Sequence, residues 1–423
     1  MTRFFSRMKV HVKNYGCSAN VAEGEIIKGQ FELAEEKDAD TIVLNICTVK
    51  GDKNALDEIK AVKKNYPNKK IAIAGCITPS IVGLIKKIDS EARLINTHNI
   101  LNFSNLVNTK TDALQHAKPI KLLQPRVRTN PVVGIVPISS GCLDACAFCS
   151  TRLVKGALFS FPPEMIVREV EKCVQDGCKE IWITGQDTCC YGFDRGTNLA
   201  KLLQQLVEIT GDFKIRVGMG NPRHVPKYLN ELVEVMKNPK IFKFLHIPVQ
   251  AGNNEVLKAM RRGHTVETFV DIVNAMRKEI PEMTISTDII VGYPTETQKQ
   301  FEDTLKLVEE TKPDVINIAR FAPRPGTTAA TMQGQIHGNI KKERSRKLTE
   351  LLRKTALERN QKWLNWEGEI IIDEKVKDGV SGRNYAYKLI VIRQDLPLGT
   401  VLSVKITEAH NYFLIGKELD HSI

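Results

Sequence analysis

The first third of the chain alternates short apolar runs with amphipathic stretches. The apolar or alternating runs that predict strands are Lys9–Tyr15, Thr41–Ile46 and Lys70–Ala74. Helical periodicity extends from the first strand to about Leu33, covers 54–65, and resumes beyond Pro79. Such alternation is typical of a parallel sheet covered by helices. Residues 1–117 are therefore predicted to form a three-layer α/β domain built on a parallel sheet.

The same alternation returns in the middle of the chain, with more repeats. The predicted strands are Val132–Ile138, Glu180–Thr184, Lys214–Met219, Phe242–Ile247, Met283–Val291 and Val315–Phe321. The helical stretches between them include 163–176, 199–209, 265–278 and 297–311. Six βα-type repeats indicate a partial (β/α)6 barrel over residues 132–339, with functional groups at the carboxyl ends of the strands.

Three further segments depart from this alternation. Residues 118–131 are basic and marked by prolines, which predicts a linker, here called the connector. Residues 340–362, here called the basic helix, carry nine Lys and Arg against three Glu. A helix with this charge is either a solvated surface or an RNA-facing one. Residues 363–423 contain short strands separated by glycines and charged residues, which predicts a small all-β barrel.

The composition is that of a folded chain with surplus positive charge. Of 423 residues, 42% are hydrophobic and 26% are charged, which favours a buried core over disorder. Lys and Arg number 61 against 49 Asp and Glu, and a net charge of +12 favours a polyanionic partner. No apolar run approaches the roughly 20 residues that span a bilayer, and no signal peptide is recognisable. We therefore expect a cytoplasmic protein without a membrane partner.

Three cysteines form a CxxxCxxC motif directly after the first strand of the middle region. They are Cys142, Cys146 and Cys149, here called the loop triad. In a reducing compartment, clustered cysteines indicate metal or redox chemistry rather than disulfides. Three thiolates can hold three irons of a 4Fe–4S cluster and leave the fourth iron open. Structural zinc is the alternative, but it needs four ligands, and no neighbouring His or Cys completes this set.

Three more cysteines stand at the ends of the first three predicted strands. They are Cys17, Cys47 and Cys76, here called the N-terminal triad. Because parallel strands bring their carboxyl ends to one edge of a sheet, these thiols are expected to converge. We interpret them as ligands of a second iron–sulfur cluster rather than as buried filler. The other cysteines are assigned to the core (Cys173, Cys178) or to accessible thiols without a ligand role (Cys189, Cys190).

Motifs along essentially the whole chain resemble those of the radical S-adenosylmethionine (SAM) methylthiotransferases. They are Asn14–Asn20 (NYGCSAN), Asn45–Thr48 (NICT), Ser140–Cys149 (SGCLDACAFC), His246–Gln250 (HIPVQ), Thr287–Pro294 (TDIIVGYP) and Phe321–Gly326 (FAPRPG). Within this family the chain is most similar to the archaeal and eukaryotic branch that acts on N6-threonylcarbamoyladenosine at tRNA position 37. The resemblance implies an N-terminal methylthiotransferase domain, a radical SAM domain and a C-terminal TRAM barrel.

The resemblance also implies cofactors and site residues. The loop triad would hold the SAM-cleaving 4Fe–4S cluster, and the N-terminal triad would hold an auxiliary 4Fe–4S cluster that carries sulfur. The candidate SAM-pocket residues are Gly185, Gln186, Asp187, Arg216, His246, Gln250 and Asp288. One SAM would methylate a sulfur, and a second would yield the radical that activates C2 of the adenine for methylthio insertion.

The implied partners are a tRNA substrate, an electron donor and a sulfur source. A methylthiotransferase acting on a ribosomal-protein aspartate or on another N6-modified adenosine would share both triads and stays an alternative. A non-catalytic nucleic-acid binder with structural zinc is the alternative from another class. Residues 363–423 carry seven Lys and Arg against nine Asp and Glu, so the basic helix and the connector are the better tRNA-facing candidates.

Overall fold

The N-terminal part of the chain is a five-stranded parallel sheet with helices on both faces. The computed structural model describes residues 6–47 and 51–419. The strands are β1 (Ser6–Asn14), β2 (Phe31–Leu33), β3 (Thr41–Ile46), β4 (Lys70–Gly75) and β5 (Arg93–Asn96), in the order β2-β1-β3-β4-β5. The helices are α1 (Ser18–Lys28), α2 (Asp52–Asn65), α3 (Pro79–Ile88) and α4 (Phe103–Leu106).

The alternation of side chains along β3 explains the two helical layers. Ile42 and Leu44 face a buried cluster that includes Ile59 of α2 and Ile85 of α3. Val43, one residue out of phase, belongs to the opposite cluster with residues of α1 and α4. Since successive strand residues point to opposite faces, an uninterrupted apolar strand needs cover on both sides. The predicted three-layer arrangement is confirmed.

The predicted extension of the first helix to about Leu33 is wrong. Helix α1 ends at Lys28, and Phe31–Leu33 pairs in parallel with β1 as an edge strand. Phe31 packs edge-to-face on Phe103, with ring centroids 6.1 Å apart, which draws this segment onto the sheet. A Cβ at Gly29 would lie 2.3 Å from the Pro125 carbonyl oxygen, so glycine allows the connector to approach closely.

The middle of the chain is the predicted partial barrel. Its strands and the intervening short pair are β6 (Val133–Pro137), β7 (Ser139–Ser140), β8 (Phe159–Ser160), β9 (Glu180–Thr184), β10 (Lys214–Val217), β11 (Phe244–His246), β12 (Thr284–Val291) and β13 (Val315–Arg320). Its helices are α5 (Thr151–Lys155), α6 (Pro163–Gln175), α7 (Leu199–Val207), α8 (Leu229–Met236), α9 (Asn254–Ala259), α10 (Val266–Glu279) and α11 (Gln298–Thr311).

Two three-stranded parallel sheets make up this barrel. Their orders are β6-β9-β10 and β11-β12-β13. A parallel bridge between Ile215 and Ile241 joins them, and the Phe242 amide donates to the Ile215 carbonyl at 2.9 Å. Strands β6 and β13 therefore lie at the two ends of a six-stranded arc, and the carboxyl ends of its strands gather at one edge.

The C-terminal part is one long helix and a closed barrel. Helix α12 (Gly338–Gln361) packs Leu348 and Leu352 into the main core. The barrel has the order β14-β15-β16-β18-β17, with strands β14 (Glu367–Val376), β15 (Gly379–Arg383), β16 (Leu389–Ile392), β17 (Val401–Ala409) and β18 (Leu414–Glu418). The predicted fold class is confirmed, while the exact domain boundaries stay predictions. Among the described residues, no helix is both long and apolar enough to cross a membrane.

Two of the four cations of the connector, which was predicted as a tRNA-facing candidate, are enclosed in ion pairs. Lys121 is buried against Glu23, and Arg126 lies 2.7 Å from a Glu169 carboxylate oxygen in a fully enclosed pair. Residues 118–131, all described by the structure, form neither helix nor strand. Of the four cations of the connector, Lys121, Arg126 and Arg128 form ion pairs and Lys118 is exposed, so the connector is a weaker candidate for the tRNA-facing surface than predicted.

Two cations of the basic helix are also internal. Arg344 is buried and lies 2.6 Å from the Glu296 carboxylate, and Arg359 lies 3.0 Å from the buried Asp314. Both side chains fasten α12 to the central barrel. These two side chains are therefore not available to contact RNA, whereas Lys342, Arg346 and Arg353 lie on the exposed side of the helix.

Candidate functional site: two cysteine triads around one cavity

The loop triad lies on the segment between β7 and α5. Cys142, Cys146 and Cys149 are all half-buried. The short antiparallel pair β7–β8 brackets this segment, and the Cys142 amide donates to the Gly156 carbonyl at 3.3 Å. The loop therefore returns on itself and turns its three thiols toward a common space.

The N-terminal triad converges as the strand pattern predicted. Cys17 precedes α1, Cys47 follows β3 and Cys76 follows β4, and β1, β3 and β4 are neighbours in the sheet. The Cys47 thiol is the hydrogen-bond partner of both others, which raises the pKa of Cys17 and lowers that of Cys76. Thr48, the last residue of the motif at 45–48, lies outside the described residues.

Both triads line the same cavity, whose volume is about 470 Å³. The N-terminal sheet supplies one wall, and the carboxyl edge of the partial barrel supplies the other. All of the pocket residues predicted from the sequence line this cavity: Gly185, Gln186, Asp187, Arg216, His246, Gln250 and Asp288. The structure thus brings the complete predicted set together, while the ligand that each residue binds stays a prediction.

Gln186 and Asp187 brace the backbone around the loop triad. The Gln186 Oε1 accepts a hydrogen bond from the Gly141 amide at 2.7 Å. The Asp187 Oδ1 accepts from the amides of Cys189 and Asn221 at 3.0 and 2.9 Å. Burial raises the pKa of Asp187. The turn after β9 is therefore tied to both the cysteine loop and the segment after β10.

Arg216 is held by aromatic rings rather than by a carboxylate. Its guanidinium carbon lies 5.4 Å from the Trp182 ring centroid, 5.2 Å from that of Phe244 and 5.6 Å from that of Tyr387. Cations over aromatic faces are stabilised by the ring quadrupole. Because Tyr387 follows β15, its contact with Arg216 joins the cavity wall to the C-terminal barrel.

His246, Asp288 and Gln250 form the far side of the cavity. His246 Nε2 lies 2.9 Å from Asp288 Oδ1, which also accepts from Asn317 Nδ2 at 2.7 Å. Burial raises the pKa of Asp288, but these two hydrogen bonds and the His246 charge give a net lowering. This pairing fixes the orientation of the imidazole at the cavity wall.

Gln250 combines backbone strain with an unused acceptor. Its φ is +77°, unusual for a residue other than glycine. Its Oε1 is buried and has no hydrogen-bond partner among the described residues. An unpartnered buried amide oxygen is costly, so its position in the cavity wall favours a donor group supplied by a ligand.

Sequence reasoning missed the polar network that anchors the cysteine loop. Asp144, inside the loop, accepts from Asn221 Nδ2 at 2.7 Å and pairs with His224 Nε2 at 2.8 Å and Arg223 Nη1 at 2.6 Å. Burial raises the pKa of Asp144, but His224, Asn221 and Arg223 lower it overall. The only sequence signal was a carboxylate between two cysteines, whose partners lie about 80 residues away.

A second missed feature is a buried ionic cluster beside the N-terminal triad. Glu23 Oε1 lies 2.6 Å from the ammonium nitrogens of both Lys121 and Lys155, and the Thr97 hydroxyl donates to it at 2.6 Å. We call these four residues the lysine–glutamate node. The node carries two positive charges and one negative charge next to the cavity, which Lys155 also lines.

The remaining cysteines are buried. Cys173 and Cys178 belong to the main core, as predicted. Cys189 and Cys190 are also buried, so the expectation that they are accessible thiols is wrong. Cys190 lies near Cys142 and Asp187, packed beneath the loop triad.

Comparison with known proteins identifies the class first. Residues 136–308, which carry the loop triad and most of the barrel, match the family model described as the Radical SAM superfamily. Residues 9–96, which carry the N-terminal triad, match the model described as Uncharacterized protein family UPF0004.

Full-length relatives then give the family. A probable threonylcarbamoyladenosine tRNA methylthiotransferase of Archaeoglobus fulgidus is 39% identical, with 97% of this chain and 98% of the relative covered. The threonylcarbamoyladenosine tRNA methylthiotransferase of Drosophila melanogaster is 34% identical, covering 97% of this chain and 78% of the relative. The chain belongs to the threonylcarbamoyladenosine tRNA methylthiotransferase family. The resemblance drawn from the sequence motifs is confirmed.

A solved structure supports the fold. The cobalamin-dependent SAM radical enzyme OxsB, with aqua-cobalamin and SAM bound, superposes with a TM-score of 0.50 at 13% identity. The alignment covers 82% of this chain and 56% of that one. At this identity the likeness concerns the fold alone.

Proposed function

We propose that this protein is a radical SAM enzyme that adds a methylthio group to C2 of N6-threonylcarbamoyladenosine at tRNA position 37, beside the anticodon. The observation that carries the proposal is that two separate three-cysteine sets line one cavity. Sulfur insertion at an unactivated C–H position needs a radical source and a sulfur donor within reach of the same atom. The printed names of relatives that match nearly the full chain support the tRNA nucleoside as substrate.

The residues of the cavity suit two 4Fe–4S clusters and SAM. Each triad offers three soft thiol ligands, a set that leaves one iron of a cubane cluster open, and the unpartnered Gln250 Oε1 offers an acceptor for a ligand. The loop triad would hold the cluster that binds SAM, and the N-terminal triad would hold the auxiliary cluster. When bound, these groups supply one-electron cleavage of SAM and a sulfur source.

The other side chains of the cavity position the loop triad and would bind and orient the ligands. Gln186 and Asp187 keep the loop triad at the mouth of the β9 turn, and the His246–Asp288 pair presents an imidazole in one orientation. Arg216, enclosed by aromatic rings, places a fixed positive charge where a carboxylate of SAM or of the nucleoside would be attracted. An electron donor and a sulfur source are the further partners that this chemistry needs, and we place the protein in the cytoplasm.

The decisive experiment is incubation of reduced, cluster-loaded enzyme with SAM and threonylcarbamoylated tRNA, followed by nucleoside mass spectrometry. We expect the methylthio mass on that nucleoside alone. tRNA that lacks the threonylcarbamoyl group and a ribosomal peptide serve as the two comparison substrates. Modification of the peptide, or of an adenosine with another N6 group, without modification of the threonylcarbamoyl nucleoside would contradict the proposed substrate.

The exposed side of the basic helix is the surface that we expect to bind tRNA phosphates. Lys342, Arg346 and Arg353 lie on one side of α12, away from Leu348 and Leu352. Replacing these three with glutamine should weaken tRNA binding. It should also lower the slope of log affinity against log salt by about one for each phosphate that is no longer neutralised. Filter binding across a salt series measures both quantities.

The matched control removes the same charge elsewhere. Lys53, Lys60 and Lys64 are exposed lysines of α2, and their replacement with glutamine should leave the salt slope unchanged. Equal slopes for the two triple variants would mean that α12 does not touch the tRNA backbone. Arg344 is left in place because its pair with Glu296 is structural.

A further inference from the structure

Arg262 lies behind the loop triad, in the turn after α9. Its side chain is buried, with the residue 6% exposed. Its Nη1 donates to the Cys146 Sγ at 3.2 Å. The other two cysteines of the loop triad have no such arginine contact among the described residues, so this hydrogen bond distinguishes Cys146.

The guanidinium is braced in this position. Its Nη2 donates to the Pro248 carbonyl at 2.8 Å and to Asn221 Oδ1 at 3.1 Å. Asn221 in turn donates from its Nδ2 to Asp144, inside the cysteine loop. A planar guanidinium uses several fixed donors at once, which lysine does not reproduce. The chain therefore holds one N–H group of Arg262 on the sulfur.

Arg262 also lacks a conventional charge partner. Within residues 6–47 and 51–419, no carboxylate forms an ion pair with it. A buried cation is costly unless an anion compensates it. Asp187 and Asp288 act on Arg262 through space without direct contact, and the anionic group in hydrogen-bond contact with it is the Cys146 sulfur when that sulfur ligates a metal.

We propose that Arg262 sets the reduction potential of the cluster on the loop triad through its charged hydrogen bond to Cys146. This inference rests on the cluster assignment of the proposed function and does not depend on the tRNA substrate. Hydrogen bonds to ligating sulfurs tune the potentials of iron–sulfur clusters. Reduction adds one negative charge to the cluster, so a donor carrying positive charge stabilises the reduced form and raises the potential. Arg262 is therefore a positioning residue that eases the delivery of an electron to SAM.

The test is an anaerobic redox titration of the full-length, reconstituted protein, followed by electron paramagnetic resonance. Replacing Cys17, Cys47 and Cys76 together with alanine removes the auxiliary cluster, so that the remaining signal belongs to the loop triad. In this background we compare Arg262→Gln, Arg262→Lys and the control Arg261→Gln. Arg261 is the exposed neighbour and loses the same charge without touching a cysteine.

We expect Arg262→Gln to lower the equilibrium constant for reduction about tenfold, which corresponds to about 59 mV for one electron. Arg262→Lys should shift the potential in the same direction by less, and Arg261→Gln should not shift it. If Arg262→Gln does not retain a cluster, the test is whether Arg262→Lys lowers the reduction potential while Arg261→Gln does not.

An unchanged potential in a cluster-loaded Arg262 variant would overturn the inference, as would an equal shift in Arg261→Gln. Weaker SAM binding with an unchanged potential would also overturn it, and would assign Arg262 to the SAM carboxylate instead. Because the titration contains no tRNA, its outcome is independent of whether the proposed nucleoside is the substrate.

Discussion

Cys142→Ala is expected to abolish the cleavage of SAM to 5′-deoxyadenosine, whereas Cys76→Ala is expected to retain this cleavage and lose the methylthio product. The two cysteines belong to different triads on opposite walls of the cavity, so each substitution disables one proposed cluster. Loss of the SAM-binding cluster removes the electron donor, and loss of the auxiliary cluster removes only the sulfur. Chromatography of the SAM-derived products and mass spectrometry of the tRNA nucleosides measure the two outcomes.

Iron and sulfide analysis provides the control for this experiment. The reconstituted wild-type protein should carry about two 4Fe–4S clusters, and replacement of the whole loop triad by alanine should leave one. Cys173→Ala, a change at a core cysteine outside both triads, should leave the cluster count unaltered. Zinc without inorganic sulfide, or equal loss of SAM cleavage in folded variants of both triads, would contradict the division of roles.

Glu23→Gln is expected to lower the free energy of unfolding by about 3–5 kcal/mol, because it leaves two buried ammonium groups without their anion. The Glu23 side chain is 3% exposed, and those of Lys121 and Lys155 are each 5% exposed, so water cannot replace the lost charge. Urea unfolding followed by tryptophan fluorescence measures the change. The double variant Glu23→Gln/Lys121→Met should cost less than the sum of the single changes, since it removes one uncompensated cation.

An exposed pair supplies the comparison for the node. Lys405 and Glu367 lie 2.8 Å apart with side chains 44% and 52% exposed, so Glu367→Gln should cost less than about 1 kcal/mol. Similar decreases in the free energy of unfolding for Glu23→Gln and Glu367→Gln would contradict the stabilising role assigned to the node.

The node also gives the stability a defined acid dependence. Burial alone would raise the pKa of Glu23, but Lys121 and Lys155 lower it from 4.5 to about 2. The stabilisation is therefore complete above about pH 4.5 and is lost as the pH falls toward 2. Glu23→Gln should remove this part of the pH dependence.

The sequence predicted the site well for functional residues that lie at the carboxyl ends of strands. Cys17, Cys47 and Cys76 could be expected to converge because each follows a strand of one parallel sheet, and parallel strands end at one edge. The same rule predicted that Arg216, His246 and Asp288 lie together at the carboxyl edge of the barrel, where all three line the cavity. Periodicity thus predicts convergence when the residues concerned end regular elements.

Contacts through space were beyond such reasoning. The hydrogen bond from Arg262 to Cys146 joins residues 116 positions apart, and Arg262 follows a short helix rather than a strand of the sheet. The connector was misjudged for a related reason: composition records that Lys121 and Arg126 are basic, but not that Glu23 and Glu169 lie opposite them. The composition of a segment gives the number of its cations, but it does not show whether their side chains face solvent or a buried carboxylate.

The lysine–glutamate node has a consequence for how the enzyme can move. A swing about residues 118–131 would have to separate Glu23 of α1 from Lys155 of α5, an enclosed ion pair that joins the N-terminal sheet to the central barrel. Breaking such pairs exposes uncompensated charge inside the protein and is strongly unfavourable. The N-terminal sheet is therefore not free to swing as a carrier arm between the two halves of the reaction.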